Sequence, residues 1–162
     1  LGIVLSRLDS FEGRRPVIDG CEYREAIQSV FVEGGVAGNV VPDRAFLTVN
    51  LRYAPDRSSD EAEKYLLEQV GDFDEVVITD HSVAAAPDLK HPIISNLIND
   101  NELMVKAKLG WTDVARFAEH GIPASNFGPG DASIAHTKDE FVERREIEQV
   151  YMALQNLITS ET

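Results

Sequence analysis

The stretch "RAFLTVNLRYAP", residues 44–55, carries the clearest strand pattern in the chain. Its side chains alternate between two faces, one with Phe46, Thr48, Asn50 and Arg52 and the other with Leu47, Val49, Leu51 and Tyr53. A period of two is typical of a β-strand, and a proline lacks the amide that would continue the ladder. We therefore predict a strand that ends just before Pro55.

A second strand is predicted just upstream, in "EAIQSVFVEGG", residues 25–35, because its residues also alternate between two faces. The segment between the two strands, "VAGNVVPD", contains Gly38, Asn39 and Pro42. These residue types favour turns. The two strands are thus expected to pair as an antiparallel hairpin.

Two helices and one more strand complete the prediction for the first half of the chain. A helix is predicted over residues 1–12 from the helical spacing of Leu1, Val4, Leu5 and Leu8. A second helix follows, with Ser58 or Ser59 as its N-cap and Gly71 at its end. The stretch "EVVITD", residues 75–80, predicts a short strand. This order is that of an α+β ferredoxin-like domain without its leading strand.

The pattern changes after "VAAAPD", residues 83–88, which is typical of a connection between domains. Beyond it we predict helices over residues 92–101, 113–120 and 143–159, and strands over residues 104–109 and 124–128. Alternating helices and strands favour a parallel or mixed α/β sheet. Two strands would leave both sheet edges bare, so this second part is expected to be an incomplete sheet.

The composition limits the possible classes of function. The 162 residues include 28 acidic and 15 basic ones, for a formal net charge of −13. We therefore expect no nucleic-acid partner and no anionic membrane surface, since both need clustered Lys and Arg. No apolar run is long enough to span a bilayer, and no secretory signal pattern is present. The single cysteine, Cys21, fits a cytoplasmic protein.

The stretch "FGPGDASIAHTKDEFV", residues 127–142, is the strongest candidate for a site. Glycines at 128 and 130 would let a ligand approach the backbone, and Asp131 and Ser133 add polar groups. Imidazole is a common metal ligand that a carboxylate often orients, which suits His136 with Glu140 or Asp139 nearby. The alternative is a histidine that only caps the structure before the last helix.

A zinc site needs three or four protein ligands. The four histidines and the cysteine are not in register with one another, and neither a His-x-Asp nor a His-Glu-x-x-His pattern is present. If His136 binds a metal, its companions must lie outside these residues.

Two further positions are candidate carboxylate binders. Thr112 and Asp113 open a predicted short helix, and Arg116 lies one turn inside it. Arg52 is a charge on the predicted strand of residues 44–55. The alternative for both positions is an ordinary one, a helix cap and solvated arginines.

Three stretches together resemble one family: residues 33–58, "KLGWTDVARFAEHGIPASNFGPGD" and "AHTKDEFV". They resemble the succinyl-diaminopimelate desuccinylases, a branch of the dinuclear-zinc amidohydrolases and metallopeptidases that also includes acetylornithine deacetylase and glutamate carboxypeptidase. The resemblance implies a zinc catalytic domain split by an inserted lid, through which two subunits form a homodimer. Residues 1–82 would then be most of the lid, and residues 86–162 the C-terminal part of the catalytic domain.

The resemblance also implies roles for individual residues. His136 matches a ligand of one of two zinc ions, which cobalt can replace. Asn39 matches a lid residue that reaches the partner subunit's active site, and Arg52 matches an arginine near the acyl carboxylate. The other positions that match the substrate pocket and its flank are Thr112, Asp113, Arg116, Gly128, Gly130, Asp131 and Ser133.

The implied reaction is hydrolysis of N-succinyl-LL-2,6-diaminopimelate to succinate and LL-diaminopimelate, a step of lysine biosynthesis. The catalytic general base and most of the metal ligands would lie in an N-terminal half that these residues do not include. The chain by itself is therefore expected to be inactive. Two alternatives remain, namely a non-catalytic dimerisation and carboxylate-binding module, and a deacylase of another N-acyl amino acid such as acetylornithine.

Overall fold

The structure is a computed structural model that describes residues 1–71, 73–108 and 110–160. Its helices and strands are α1 (Gly2–Asp9), β1 (Val17–Ile18), β2 (Cys21–Glu22), β3 (Ala26–Gly34), β4 (Ala45–Arg52), α2 (Ser59–Val70), α3 (Pro92–Asp100), α4 (Val114–Glu119) and α5 (Arg144–Ser160). The described strands form two separate two-stranded sheets, β1–β2 and β3–β4, and both are antiparallel.

The β3–β4 hairpin confirms the strand pair predicted from the sequence. Its register runs from Ala26 opposite Arg52 to Gly34 opposite Ala45. A bulge between Ser29 and Phe31 leaves Val30 without a partner on β4. The register places Arg52 at the last position of β4, where the chain leaves the sheet.

The helix α2 begins at the predicted cap. The Ser58 hydroxyl accepts a hydrogen bond from the Glu61 amide at 3.2 Å, and Glu61 Oε2 accepts one from the Ser58 amide at 2.8 Å. Ala62 and Val70 are the buried residues of the helix. Helix α1 is held against its C-terminal end, where Arg7 donates to the Val70 carbonyl at 3.0 Å.

The strands β1 and β2 form a short hairpin that we did not predict. Asp19 and Gly20 connect them, and both have positive φ, at 46° and 79°. Two residues of this conformation match the right-handed twist of paired strands, and Asp-Gly is a preferred sequence for such a turn. The Asp-Gly dipeptide could therefore have predicted this hairpin from the sequence.

A small apolar cluster joins the two halves of the chain. It consists of the buried residues Cys21, Tyr23 and Ala54, with Leu89 and Ala107 packed against it from the second half. The cluster lies where β2, the end of β4 and the segments on either side of α3 meet.

The carboxylate of Glu25 is buried beside this cluster and fully engaged. Arg14 donates to its two oxygens at 2.7 and 3.0 Å, and the Ala54 amide donates to Oε1 at 3.1 Å. Arg57 lies 3.8 Å away and stacks over the Tyr65 ring at 3.9 Å. A buried charge is tolerated when it is paired in this way.

Three strand predictions were wrong. Residues 75–80, 104–108 and 124–128 have no strand assignment, and position 109 lies outside the described residues. A strand needs a partner for its ladder, and no described strand pairs with these segments. Val76, Val77 and Ile78 consequently remain 41–69% exposed. The second half therefore contains helices but no α/β sheet in the part that the structure describes.

The three helices predicted beyond the connection are confirmed as α3, α4 and α5, with ends shifted by one residue. Residues 79–88 contain neither helix nor strand. The division into two domains at this segment and the ferredoxin-like arrangement of the first half stay predictions.

Candidate functional site

A cavity of about 690 Å³ lies between the two halves of the chain. Its lining comes from the end of β4, the connection over residues 78–89, helix α3, and three segments of the second half, at 103–108, 110–115 and 124–128. A volume of a few hundred cubic ångströms is typical of sites for small molecules. The cavity is therefore the candidate binding site.

Three of the predicted substrate residues line this cavity together: Arg52, Thr112 and Gly128. They come from β4, from the start of α4 and from the glycine-rich loop. The Thr112 hydroxyl accepts a hydrogen bond from the Asn126 side chain at 3.1 Å, which ties the segment before α4 to the segment before Gly128. The predicted constellation is thus partly assembled in one place.

Asp113 and Arg116 are placed beside the cavity lining rather than in it. Asp113 is the N-cap residue of α4 but makes no side-chain capping bond. Arg116 pairs with Glu119 at 3.2 Å, and its guanidinium lies 5.9 Å from the centre of the Trp111 ring. Their roles as carboxylate binders stay predictions.

The glycine-rich loop is held by backbone hydrogen bonds. The Gly130 amide donates to Glu146 of α5 at 3.0 Å, with φ of 86° at Gly130, a conformation that glycine adopts readily. Asp131 accepts a hydrogen bond from the Ser133 amide at 2.9 Å. That bond and the Ser133 hydroxyl hold the pKa of Asp131 below its usual range. Gly130 also lines a second cavity, of about 590 Å³, with the start of α5.

His136 has the left-handed backbone conformation, with φ of 64°, and its side chain is exposed. Its amide donates to Glu140 Oε2 at 2.8 Å. Glu140 is therefore next to His136, as predicted, but its carboxylate holds the backbone of this residue rather than the ring. A non-glycine residue in this conformation costs free energy, and functional sites often contain such residues.

Asn39 lies in the exposed turn between β3 and β4. It is far along the hairpin from the end at which Arg52 meets the cavity, since β4 runs from Ala45 to Arg52. This placement leaves its predicted contact with a partner subunit as a prediction.

A zinc centre does not fit the residues of this chain alone. Over residues 1–71, 73–108 and 110–160, no three His, Cys, Asp or Glu side chains gather closely enough to hold a metal ion. His136 offers one imidazole, and a zinc ion needs at least two further protein ligands.

Two kinds of site residue were missed by sequence reasoning. His81 lies 3.4 Å from Glu63 and 3.7 Å from Asp60, and next to it Tyr53 donates to the Ser82 carbonyl at 2.7 Å. These contacts fix the connection to α2 and to the end of β4.

Lys106 and Lys108 also line the cavity. The sequence pattern that could have indicated them is "KAK", in which a small apolar residue stands between two basic ones.

Comparison with curated proteins identifies the chain as a homologue of desuccinylases. It is 48% identical over 143 residues to a Mycobacterium tuberculosis protein provisionally named succinyl-diaminopimelate desuccinylase, a match that covers 88% of this chain and 40% of that protein. It is 41% identical over 145 residues to the Corynebacterium glutamicum protein named succinyl-diaminopimelate desuccinylase, covering 86% of this chain and 39% of that protein. No protein-family model matches the chain.

The chain is therefore homologous, over nearly all its length, to part of the proteins named succinyl-diaminopimelate desuccinylase. It spans about two-fifths of the length of these relatives. Among the described residues, no helix is long and apolar enough to cross a membrane.

Proposed function

We propose that this chain forms part of a hydrolase that cleaves the amide bond of N-succinyl-LL-2,6-diaminopimelate, releasing succinate and LL-diaminopimelate. The observation that carries this proposal is the identity of 48% and 41% to proteins that bear the desuccinylase name. Because the chain spans only about two-fifths of the length of these relatives, the proposal concerns a protein of the relatives' length.

The cavity is the proposed binding site for the substrate of this reaction. The substrate carries several carboxylates, and a guanidinium binds a carboxylate through two parallel hydrogen bonds. Arg52 lines the cavity from the end of β4, and the exposed Gly128 loop borders it. We assign Arg52 to the succinyl carboxylate, and Thr112 and Gly128 to further contacts with the substrate.

His136 is proposed as one ligand of a metal ion, zinc or cobalt, whose remaining ligands lie on residues beyond this chain. Its exposed ring and strained backbone support this role, because a strained conformation persists only when the surroundings hold it. Glu140 would act on the ring indirectly, since it fixes the backbone at His136.

A homodimer through the β3–β4 hairpin completes the proposal. Val30, Phe31, Val32 and Phe46 on this hairpin are 49–59% exposed. Apolar groups of this size on one hairpin are suited to burial against another protein surface. Residues 1–82 would then form the lid, and residues 86–162 the C-terminal part of the catalytic domain.

The proposal is tested with a chimera in which this chain replaces the matched 145-residue segment of the Corynebacterium glutamicum relative. Succinate release from N-succinyl-LL-2,6-diaminopimelate and acetate release from N-acetylornithine are measured side by side, with the unaltered relative as the control. We expect the chimera to hydrolyse the succinyl substrate and to prefer it to the acetyl one. A folded chimera without turnover, or with preference for N-acetylornithine, contradicts the proposal.

A further inference from the structure

Three basic side chains line the cavity, in a chain that is acidic overall. Arg52, Lys106 and Lys108 all line it, although the chain has 28 acidic residues against 15 basic ones. The three come from distant parts of the sequence, Arg52 from β4 and the two lysines from the segment between α3 and α4. We call these three residues the basic wall.

The fold fixes the two lysines by the residue between them. Ala107 packs against the buried cluster of Cys21, Tyr23 and Ala54, whereas Lys106 and Lys108 on either side of it are exposed. A small residue anchored in this way holds the backbone close to the core. The two ammonium groups are consequently carried on the surface of the cavity.

The charges of the basic wall form no direct ion pair within the described residues. Neither Arg52 nor either lysine forms an ion pair with any carboxylate that the structure describes. Of the carboxylates that line the same cavity, Glu63 lies 3.4 Å from His81, and Asp80 accepts a hydrogen bond from the Ser82 hydroxyl at 2.9 Å. The third is Asp88. The described lining therefore holds three cations and three carboxylates, with no direct ion pair between them.

Both lysines lie close to other parts of the site. The Lys108 ammonium would be 3.8 Å from a Cβ placed on Gly110, so it lies over the glycine that precedes Trp111. Lys106 is near enough to the glycine-rich loop to contribute, after the hydrogen bonds from Ser133, to the low pKa of Asp131. The lysines therefore connect the cavity with the loop that carries Gly128.

We propose that the basic wall is a dicarboxylate-binding site, in which Lys106 and Lys108 bind one carboxylate group and Arg52 binds the other. The ligand class is a small aliphatic dicarboxylate or its N-acyl derivative, and a cavity of about 690 Å³ has room for it. This inference rests on the proposed function for the identity of the natural ligand, but the binding itself does not require turnover. It makes the two lysines residues that determine specificity for acidic substrates.

The test is a titration of the 162-residue chain with succinate, followed by amide shifts in nitrogen–proton NMR spectra. The variants are Lys106→Gln, Lys108→Gln and the double change, and the control is Lys64→Gln with Lys138→Gln, which removes two positive charges outside the cavity lining. Succinamide, which has the same carbon skeleton without charge, is the second probe. The dispersion of each spectrum reports whether the variant is folded.

We expect succinate to shift residues around the cavity and succinamide to have no effect. The double variant should bind succinate roughly tenfold more weakly or worse, because charged hydrogen bonds are lost. The control variant should bind as the unaltered chain does. Added salt should weaken binding by the unaltered chain more than by the double variant. Equal affinity in the double variant and the unaltered chain overturns the proposal, and so does the absence of any succinate-dependent shift.

This result separates the two proposals from each other. If the chimera hydrolyses N-succinyl-LL-2,6-diaminopimelate while the lysine variants bind succinate normally, only the basic wall is wrong. If the chimera is inactive while succinate binding depends on Lys106 and Lys108, the dicarboxylate-binding site is supported and the proposed reaction is contradicted.

Discussion

At the scale of single residues, the buried carboxylate of Glu25 has the most demanding environment in the described part of the chain. Its side chain is completely shielded from solvent, and it accepts hydrogen bonds from Arg14 and from the Ala54 amide. A carboxylate in such a place is stable only while its partners remain, because desolvation of an unpaired charge costs several kcal/mol. Glu25 thereby ties residues 14, 54 and 57 into one unit next to the cavity.

We predict that Glu25→Gln lowers the free energy of unfolding by about 2–3 kcal/mol, because it leaves Arg57 partly buried without a charged partner. Urea denaturation at neutral pH measures the change. Glu22→Gln is the matched control, since its ion pair with Arg24 is exposed on both sides and should contribute less than about 0.5 kcal/mol. Equal stability of the two variants would show that the network around Glu25 does not form.

A second residue-scale prediction concerns acid. The bidentate hydrogen bonds from Arg14 hold the pKa of Asp56 below its usual range. A carboxylate with a lowered pKa in the folded state contributes stability that is complete above its unfolded pKa, about 4, and is lost as the pH falls through the folded value. Because Asp56 is about one-third exposed, we expect a contribution below about 1 kcal/mol.

Urea denaturation of the unaltered chain and of Asp56→Asn, at pH 7 and near pH 3, measures this contribution. The unaltered chain should be the more stable of the two at pH 7, and the difference should shrink in acid. A difference that is the same at both pH values contradicts the assignment.

At the scale of elements, the parts that local chemistry determines were predictable. The alternation of residues 44–55 gave β4, and Ser58 with Glu61 gave the start of α2. Both signals act between neighbours in the sequence, so they do not depend on the rest of the fold. The Asp19–Gly20 turn had a signal of the same local kind, which the prediction overlooked.

The wrong predictions at this scale have a different origin. The segments at 75–80, 104–109 and 124–128 were predicted to be strands from their local sequence, but a strand forms only where another one pairs with it. Local sequence does not show whether a pairing strand exists, so the absence of strands in the described residues of those three segments could not be predicted from it. Lys106 and Lys108 were overlooked for a related reason. They are site candidates only because they line a cavity, and residues more than 50 positions away in the sequence, such as Arg52, also form its lining.

We predict that Ser58→Ala destabilises the chain by about 1 kcal/mol, since it removes the hydroxyl that accepts from the Glu61 amide and donates to the Glu61 carboxylate, and leaves only the bond from the Ser58 amide. Ser59→Ala, at the first position of the helix and without a capping bond, is the matched control and should be close to neutral. Thermal unfolding followed by circular dichroism compares the two. A loss at Ser59 as large as that at Ser58 would contradict the capping geometry.

At the scale of the whole molecule, the sequence allowed the relationship to be recognised, and the comparisons confirm it. The arrangement that gathers Arg52, Thr112 and Gly128 around one cavity required the structure, because these residues lie up to 76 positions apart. Any partners of His136 in the proposed metal site could not be predicted from this chain, since no three His, Cys, Asp or Glu side chains among the described residues gather closely enough to hold a metal ion.

The 162-residue chain by itself should bind ligand without turnover. We expect it to bind succinate at the basic wall but not to hydrolyse N-succinyl-LL-2,6-diaminopimelate, because it spans about two-fifths of its relatives' length and no three of its described His, Cys, Asp or Glu side chains gather to hold a metal ion. An assay with added zinc, with and without a chelator, measures this. Turnover that the chelator abolishes would contradict the expectation.

The most direct test of the central claim, that His136 belongs to a hydrolytic metal centre of the longer protein, is turnover by the chimera after His136→Ala. We predict that turnover falls by at least about 100-fold and that the content of bound metal falls with it, because the variant lacks a side chain that binds the metal directly. His120→Ala, at the exposed end of α4, is the control and should keep both. Full turnover and full metal content in the His136→Ala chimera would contradict the claim.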